Sequence, residues 1–136
     1  MARVPYLTRE DLPAEKRAIY DHMVSERGRV TRPMQALLNS PDLAGKVAET
    51  GFHVRFHATT LPPEVREIVP LATARELNNQ YIWSRHAQLA LDSGVREEVV
   101  NAIRDGTPPR KLLPKEGVFV QFVQELLRDR TIRDAT

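Results

Sequence analysis

The chain has 136 residues, 41% of them hydrophobic and 28% charged, with 20 basic against 18 acidic side chains and a formal net charge of +2. That length suits one compact domain and that balance a soluble globular protein, so wholesale disorder is excluded, as is a membrane-spanning helix, because no apolar run approaches about 18 residues. The signs alternate without a basic block, which argues against nucleic acid as the partner, and the absence of any cysteine removes thiolate nucleophiles, disulfides, iron–sulfur clusters and Cys-type zinc sites.

The N-terminal MARVPYLTRED has no apolar h-region, so a cytoplasmic protein is expected. Prolines and glycines then punctuate the chain at intervals that leave helix-length segments, and no β-branched run alternates at period two. The fold class is read as all-α. Helices are predicted over 11–27, 33–39, 41–58, 62–78, 79–93, 96–105 and 114–130. Pro33, Pro41, Pro62 and Pro114 stand where a first turn tolerates a missing N–H, and Gly28, Gly94 and Gly106 where a left-handed residue ends a helix. A helical domain over 1–130 and a short mobile tail over 131–136 complete the expected organisation.

In the first helix Leu12, Ile19 and Met23 share a stripe, an ordinary core face. The helix over 41–58 is different: at about 100° per residue, Leu43, Val47, Val54 and Ala58 fall on one side and Gly45, Phe52 and Phe56 nearly opposite. A small domain cannot bury both, so one face is expected to meet another subunit, the alternative being that the phenylalanines lie under a loop of the same chain. His53 and His57 on this helix have a spacing that can put two imidazoles on one metal, but Val54 stands where the helical zinc motif has its glutamate. No metal site is assigned, and His57 is kept as a pocket-wall candidate.

The stretch PPEVREIVPLATARELNNQYIWSRHAQLALDS, 62–93, carries the chemistry. On its first helix Val65, Ile68, Val69 and Ala72 form an apolar stripe with Glu76 at its centre; Pro70, Leu71 and Ala74 form a second that includes Glu67. A helix apolar on both sides is buried, which makes both glutamates candidates for desolvated carboxylates. Pro70 frees the carbonyl of Arg66 beside Glu67. On the next helix His86 shares a face with Ile82, Leu89 and Ala90, with Trp83 one turn away, so the imidazole is expected to face inward. A carboxylate beside an imidazole in a dry pocket makes a proton relay. A hydrogen-bonded core histidine has the same pattern, and the residues by themselves leave both readings open. Farther on, Val99, Val100 and Ile103 mark one core stripe, and Val118, Phe119, Phe122, Val123 and Leu126 the last.

With these residues in place the chain resembles the carboxymuconolactone decarboxylase and alkylhydroperoxidase D superfamily along nearly its whole length. The peroxidase branch has a glutamate, eleven residues, Cys-x-x-Cys, three residues and a histidine; counted from Glu67, the matching positions are Asn79, Ile82 and His86. The spacing is kept and both sulfurs are absent. QYIWSRHAQLA looks like the decarboxylase signature Tyr-Glu-Trp-x-x-His-x-x-x-Ala, matched by Tyr81, Trp83, His86 and Ala90, with Ile82 replacing its glutamate. LPPEVRE upstream and DSGVREEVVNAIRDG downstream also look like this family. The resemblance implies an orthogonal bundle of six to seven helices that assembles as a trimer or hexamer.

Peroxide reduction through a thiolate and disulfide cannot run on Asn79 and Ile82. What the resemblance leaves is the proton-transfer half of the site: a cofactor-free carboxy-lyase or isomerase acting on a carboxylated lactone or similar small molecule, with His86 and Glu67 as the reacting pair. Glu76, Tyr81, Trp83, Asn79, Ile82, Arg85 and His57 are the candidate surrounding residues, and Arg55, Arg75 or Arg85 could hold a substrate carboxylate. The alternative is a non-catalytic protein of the same fold that binds a small hydrophobic acid or serves as an oligomeric partner.

Overall fold

The computed structural model describes residues 3–57 and 60–136; Ala58, predicted to end the third helix, lies outside the described residues. Those residues form seven α-helices and no strand, the all-α class expected from the sequence. They divide into two compact units, Met1–Thr59 and Thr60–Thr136.

The first unit holds α1 (Arg17–Arg27), α2 (Arg32–Leu37) and α3 (Pro41–Phe52). The helix predicted from residue 11 starts later, because Pro13 is extended at φ −51°, ψ 144°, and only a 3₁₀ turn over Ala14–Lys16 leads into α1. Gly28, at φ 71°, ends α1 in the left-handed conformation expected of it. Leu12, Met23, Leu38, Ala44, Ala48 and Phe52 form the core, with Ile19 packed against it. Phe52 is thus buried and Phe56 is not: beyond Phe52 the helix widens into a π-helical turn, His53–His57, which changes the angular register. The Arg27 guanidinium lies over both rings at 5.4 and 5.3 Å. Leu43, Val47 and Val54, the opposite side of the two-faced helix, are exposed in the single chain.

The second unit holds α4 (Pro63–Glu76), α5 (Gln80–Asp92), α6 (Glu97–Asp105) and α7 (Pro114–Gln124), the last running into a π-helical turn over Glu125–Asp129. Ile68, Leu71 and Ala72 of α4 meet Ala90 of α5, Val99, Val100 and Ile103 of α6, and Val120 and Val123 of α7 in one core. Gly94 and Gly106 end α5 and α6 at φ 90° and 70°. Each lets the following residue's N–H reach back to a carbonyl in the last turn, Val95 to Ala90 at 2.9 Å and Thr107 to Ala102 at 2.8 Å.

The predicted stripe of α7 needs correction. Phe122 and Leu126 are exposed, and the buried face is Glu116, Gly117, Val120 and Val123. Gly117 is the reason: a Cβ there would sit 2.5 Å from the Pro109 carbonyl oxygen, so the glycine lets the helix lie directly on that backbone and turns its neighbours inward. Beyond Arg130 the chain folds back on Glu125, whose carboxylate accepts from the Arg133 backbone N–H at 3.0 Å, Gln121 Nε2 at 2.8 Å and Thr136 Oγ1 at 2.9 Å.

Candidate active site: an acid and an imidazole across two helices

α4 and α5 are joined by a turn that two asparagines build. Asn78 takes the left-handed conformation at φ 50°, and the backbone N–H groups of Asn78 and Asn79 close the end of α4 onto the carbonyls of Arg75 and Ala74 at 3.2 and 2.8 Å. Asn79 then caps the next helix, its Oδ1 accepting from the Ile82 backbone N–H at 3.0 Å. The two positions where the resemblance places cysteines therefore hold a helix cap and the N–H it accepts from. Neither side chain can form a thiolate or a disulfide, and the pair sets where α5 begins.

That start fixes the phase of α5 against α4, and with it the meeting of Glu67 and His86. Glu67 Oε2 and His86 Nδ1 are 2.7 Å apart, with the carboxylate side chain 8% and the imidazole 16% exposed. An ionised carboxylate accepts the proton on Nδ1, which leaves Nε2 as the nitrogen able to take or give a proton. His86 sits at the edge of the core and not at its centre. Ala90, Trp83 and Ala87 on one side of it pack inward, whereas Leu89, expected to share the buried face, is exposed, and Ile82 is half-buried. The imidazole thus lies on α5 between the buried Ala90 and the exposed Leu89.

The other expected residues separate by what they touch. Glu76 is half-buried, and its carboxylate is paired: Arg128 Nε and Nη2 grip it at 2.6 Å each, an ion pair that ties the end of α4 to the π-helical turn after α7. Tyr81 is exposed in the first turn of α5, and Trp83 is half-buried against the core. Arg85, half-buried, makes no ion pair among the described residues and shares a stripe of α5 with Tyr81 and Leu89. Arg75 donates to the Arg104 carbonyl at 2.8 Å, and Arg55 lies 5.6 Å from the centre of the Phe56 ring. His57 belongs to the first unit, where it pairs with Glu26 at 3.0 Å and is 54% exposed. Among the described residues no three His, Asp or Glu side chains gather as a metal site.

The sequence did not signal the partners that organise this unit. Arg96 grips Glu116 at 3.0 and 2.8 Å across 20 positions, and Arg128 reaches Glu76 across 52; neither separation leaves a local pattern. The Arg96–Glu116 pair lies in the wall of an apolar cavity of about 280 Å³, to which α4 contributes Val65 and Ile68. Neither Glu67 nor His86 lines it, since Glu67 leaves α4 on the other side. No helix of the described residues is long and apolar enough to cross a membrane.

Comparison with known proteins agrees with this architecture. The model of the carboxymuconolactone decarboxylase family matches residues 41–125, well over half of the chain, and the chain belongs to that family. No curated protein and no solved structure matches it.

Proposed function

We propose that the protein is a general acid–base enzyme that decarboxylates or isomerises a lactone or a related carboxylated, enolisable small molecule, with Glu67 and His86 as its proton relay. The observation that carries this reading is the 2.7 Å contact between a carboxylate and an imidazole that are both nearly withdrawn from water. Glu67 holds the Nδ1 proton and so leaves Nε2 as the nitrogen that exchanges a proton with substrate. When His86 is an imidazolium, Glu67 also balances its charge. Membership of the carboxymuconolactone decarboxylase family supports a decarboxylase-like reaction.

In the decarboxylating form, Arg85 holds a substrate carboxylate beside Tyr81. The bond to the departing carboxylate breaks, its electron pair stays on the substrate carbon as a dienolate, and CO2 leaves. The imidazolium Nε2–H then protonates that carbon, and the neutral imidazole regains its proton from water. We further propose that the exposed Leu43, Val47 and Val54 face of α3 is covered in a homo-oligomer, as the two-faced pattern of that helix implies.

The test is solvent exchange. Carboxylated lactones and keto acids incubated with the protein in D2O should gain deuterium on carbon, and His86→Ala should slow this by about 10²- to 10⁴-fold, the worth of a placed acid or base. Turnover by His86→Ala within tenfold of the unaltered protein would remove His86 from the mechanism. Thermal stabilisation by the same compounds with no exchange would make the protein a binder of small acids on the same fold.

A further inference from the structure

A second cavity of this unit, about 350 Å³ in volume, opens where α4 ends, α5 begins and α6 ends; Ala74, Arg75, Asn78, Gln80, Trp83 and Arg104 line it. Its composition is one-sided. Two guanidiniums, two carboxamides and an indole face it, and no acidic side chain does. Asp105 accepts from Arg104 Nε at 2.9 Å and Nη2 at 3.4 Å and also feels Arg75, while Arg104 Nη1 has no hydrogen-bond partner among the described residues. Arg75 spends only Nε, on the Arg104 carbonyl at 2.8 Å, so both of its terminal nitrogens remain. Two arginines with three terminal nitrogens left over thus line a space that the chain's single tryptophan also lines.

We propose that this cavity binds a planar aromatic carboxylate, with the ring against Trp83 and the carboxylate on the terminal nitrogens of Arg75 and Arg104. The charge follows from two guanidiniums that share a single neighbouring carboxylate, Asp105, and so keep a net positive charge that pairs best with a carboxylate through parallel N–H donors. The planarity follows from the indole, since flat rings gain from offset stacking. A volume of 350 Å³ is at the small end of ligand sites and fits a single ring. Trp83 stands one helical turn before His86, so occupancy would be felt next to the relay, but the proposal concerns binding and stands apart from catalysis.

Trp83, being the only tryptophan, reports occupancy directly. Titration of the intact protein with sodium benzoate should change its fluorescence saturably, with benzamide and inorganic phosphate at least tenfold weaker. Arg75→Gln and Arg104→Gln should each weaken benzoate about tenfold, and so should Gln80→Glu, an exposed change at the cavity edge that puts a negative charge beside the site without removing any packing. His86→Ala should leave benzoate affinity within twofold, which separates this site from the relay. Benzamide or phosphate binding as tightly as benzoate, or benzoate binding indifferent to Gln80→Glu and both arginine changes, would overturn the proposal.

Discussion

Removing the Glu67–His86 contact should cost stability as well as activity, and a double-mutant cycle isolates how much. An exposed ion pair is worth about 0.2–1 kcal/mol, because water competes for both partners. Here the partners keep only 8% and 16% of their side-chain exposure, and a hydrogen bond to a charged group in such a setting contributes about 1.5–3 kcal/mol. The cycle Glu67→Gln, His86→Ala and the double variant, read by urea unfolding, should therefore give a coupling energy of about 1.5–3 kcal/mol. The cycle is the right measurement because Glu67→Gln alone also alters whatever else that carboxylate touches. Raising the salt from 0.05 to about 0.5 M should leave the coupling nearly unchanged, since a buried pair is poorly screened. A coupling below about 0.5 kcal/mol, or one that salt abolishes, would place the pair in water and refute the dry-site argument.

Other changes test the frame around the pair. Asn79→Ala should cost about 0.5–2 kcal/mol of stability while Asn79→Ser stays close to the unaltered protein, because either a carboxamide or a hydroxyl can accept the Ile82 N–H and a methyl cannot. Gly117→Ala should destabilise by about 1–3 kcal/mol, its methyl driven against the Pro109 carbonyl. Gly51→Ala, on α3 with open space around its Cβ position, should instead stabilise by about 0.4–1 kcal/mol; equal effects at the two glycines would show that helix propensity, not contact, decides. Acid should loosen the second unit in a defined direction. Arg96 holds the Glu116 carboxyl below its ordinary value, and the Arg133 backbone N–H, with Gln121 and Thr136, does the same for Glu125. Both contributions are complete above the ordinary carboxylate range and fade as pH falls through the lowered values. Glu116→Gln with Glu125→Gln should flatten the acid limb of a stability-against-pH curve, and an unchanged limb would assign it to other carboxylates.

Much of this molecule was legible one residue at a time. Helix ends are local events, so the αL glycines at 28, 94 and 106 and the prolines at 33, 41 and 114 marked them wherever the chain was read. The α6 stripe of Val99, Val100 and Ile103 was equally plain, because a short amphipathic helix has one way to face its core. The choice of Glu67 to go with His86 came from the spacing of the family that the chain resembles, because periodicity by itself left Glu67 and Glu76 equal on α4.

What the sequence could not carry depends on which surfaces meet. The inward face of α7 was chosen by the close approach of Gly117 to Pro109, a contact between segments that no periodicity records. Glu76 looked as available as Glu67 on α4, and only the arrival of Arg128 from 52 positions away made it a structural anchor. Local composition therefore set the helices and their ends, because those rest on bonds within a few residues. The division of two similar glutamates into one tied by arginine and one held against an imidazole was settled by packing, because burial and pairing belong to neighbours that are distant along the chain.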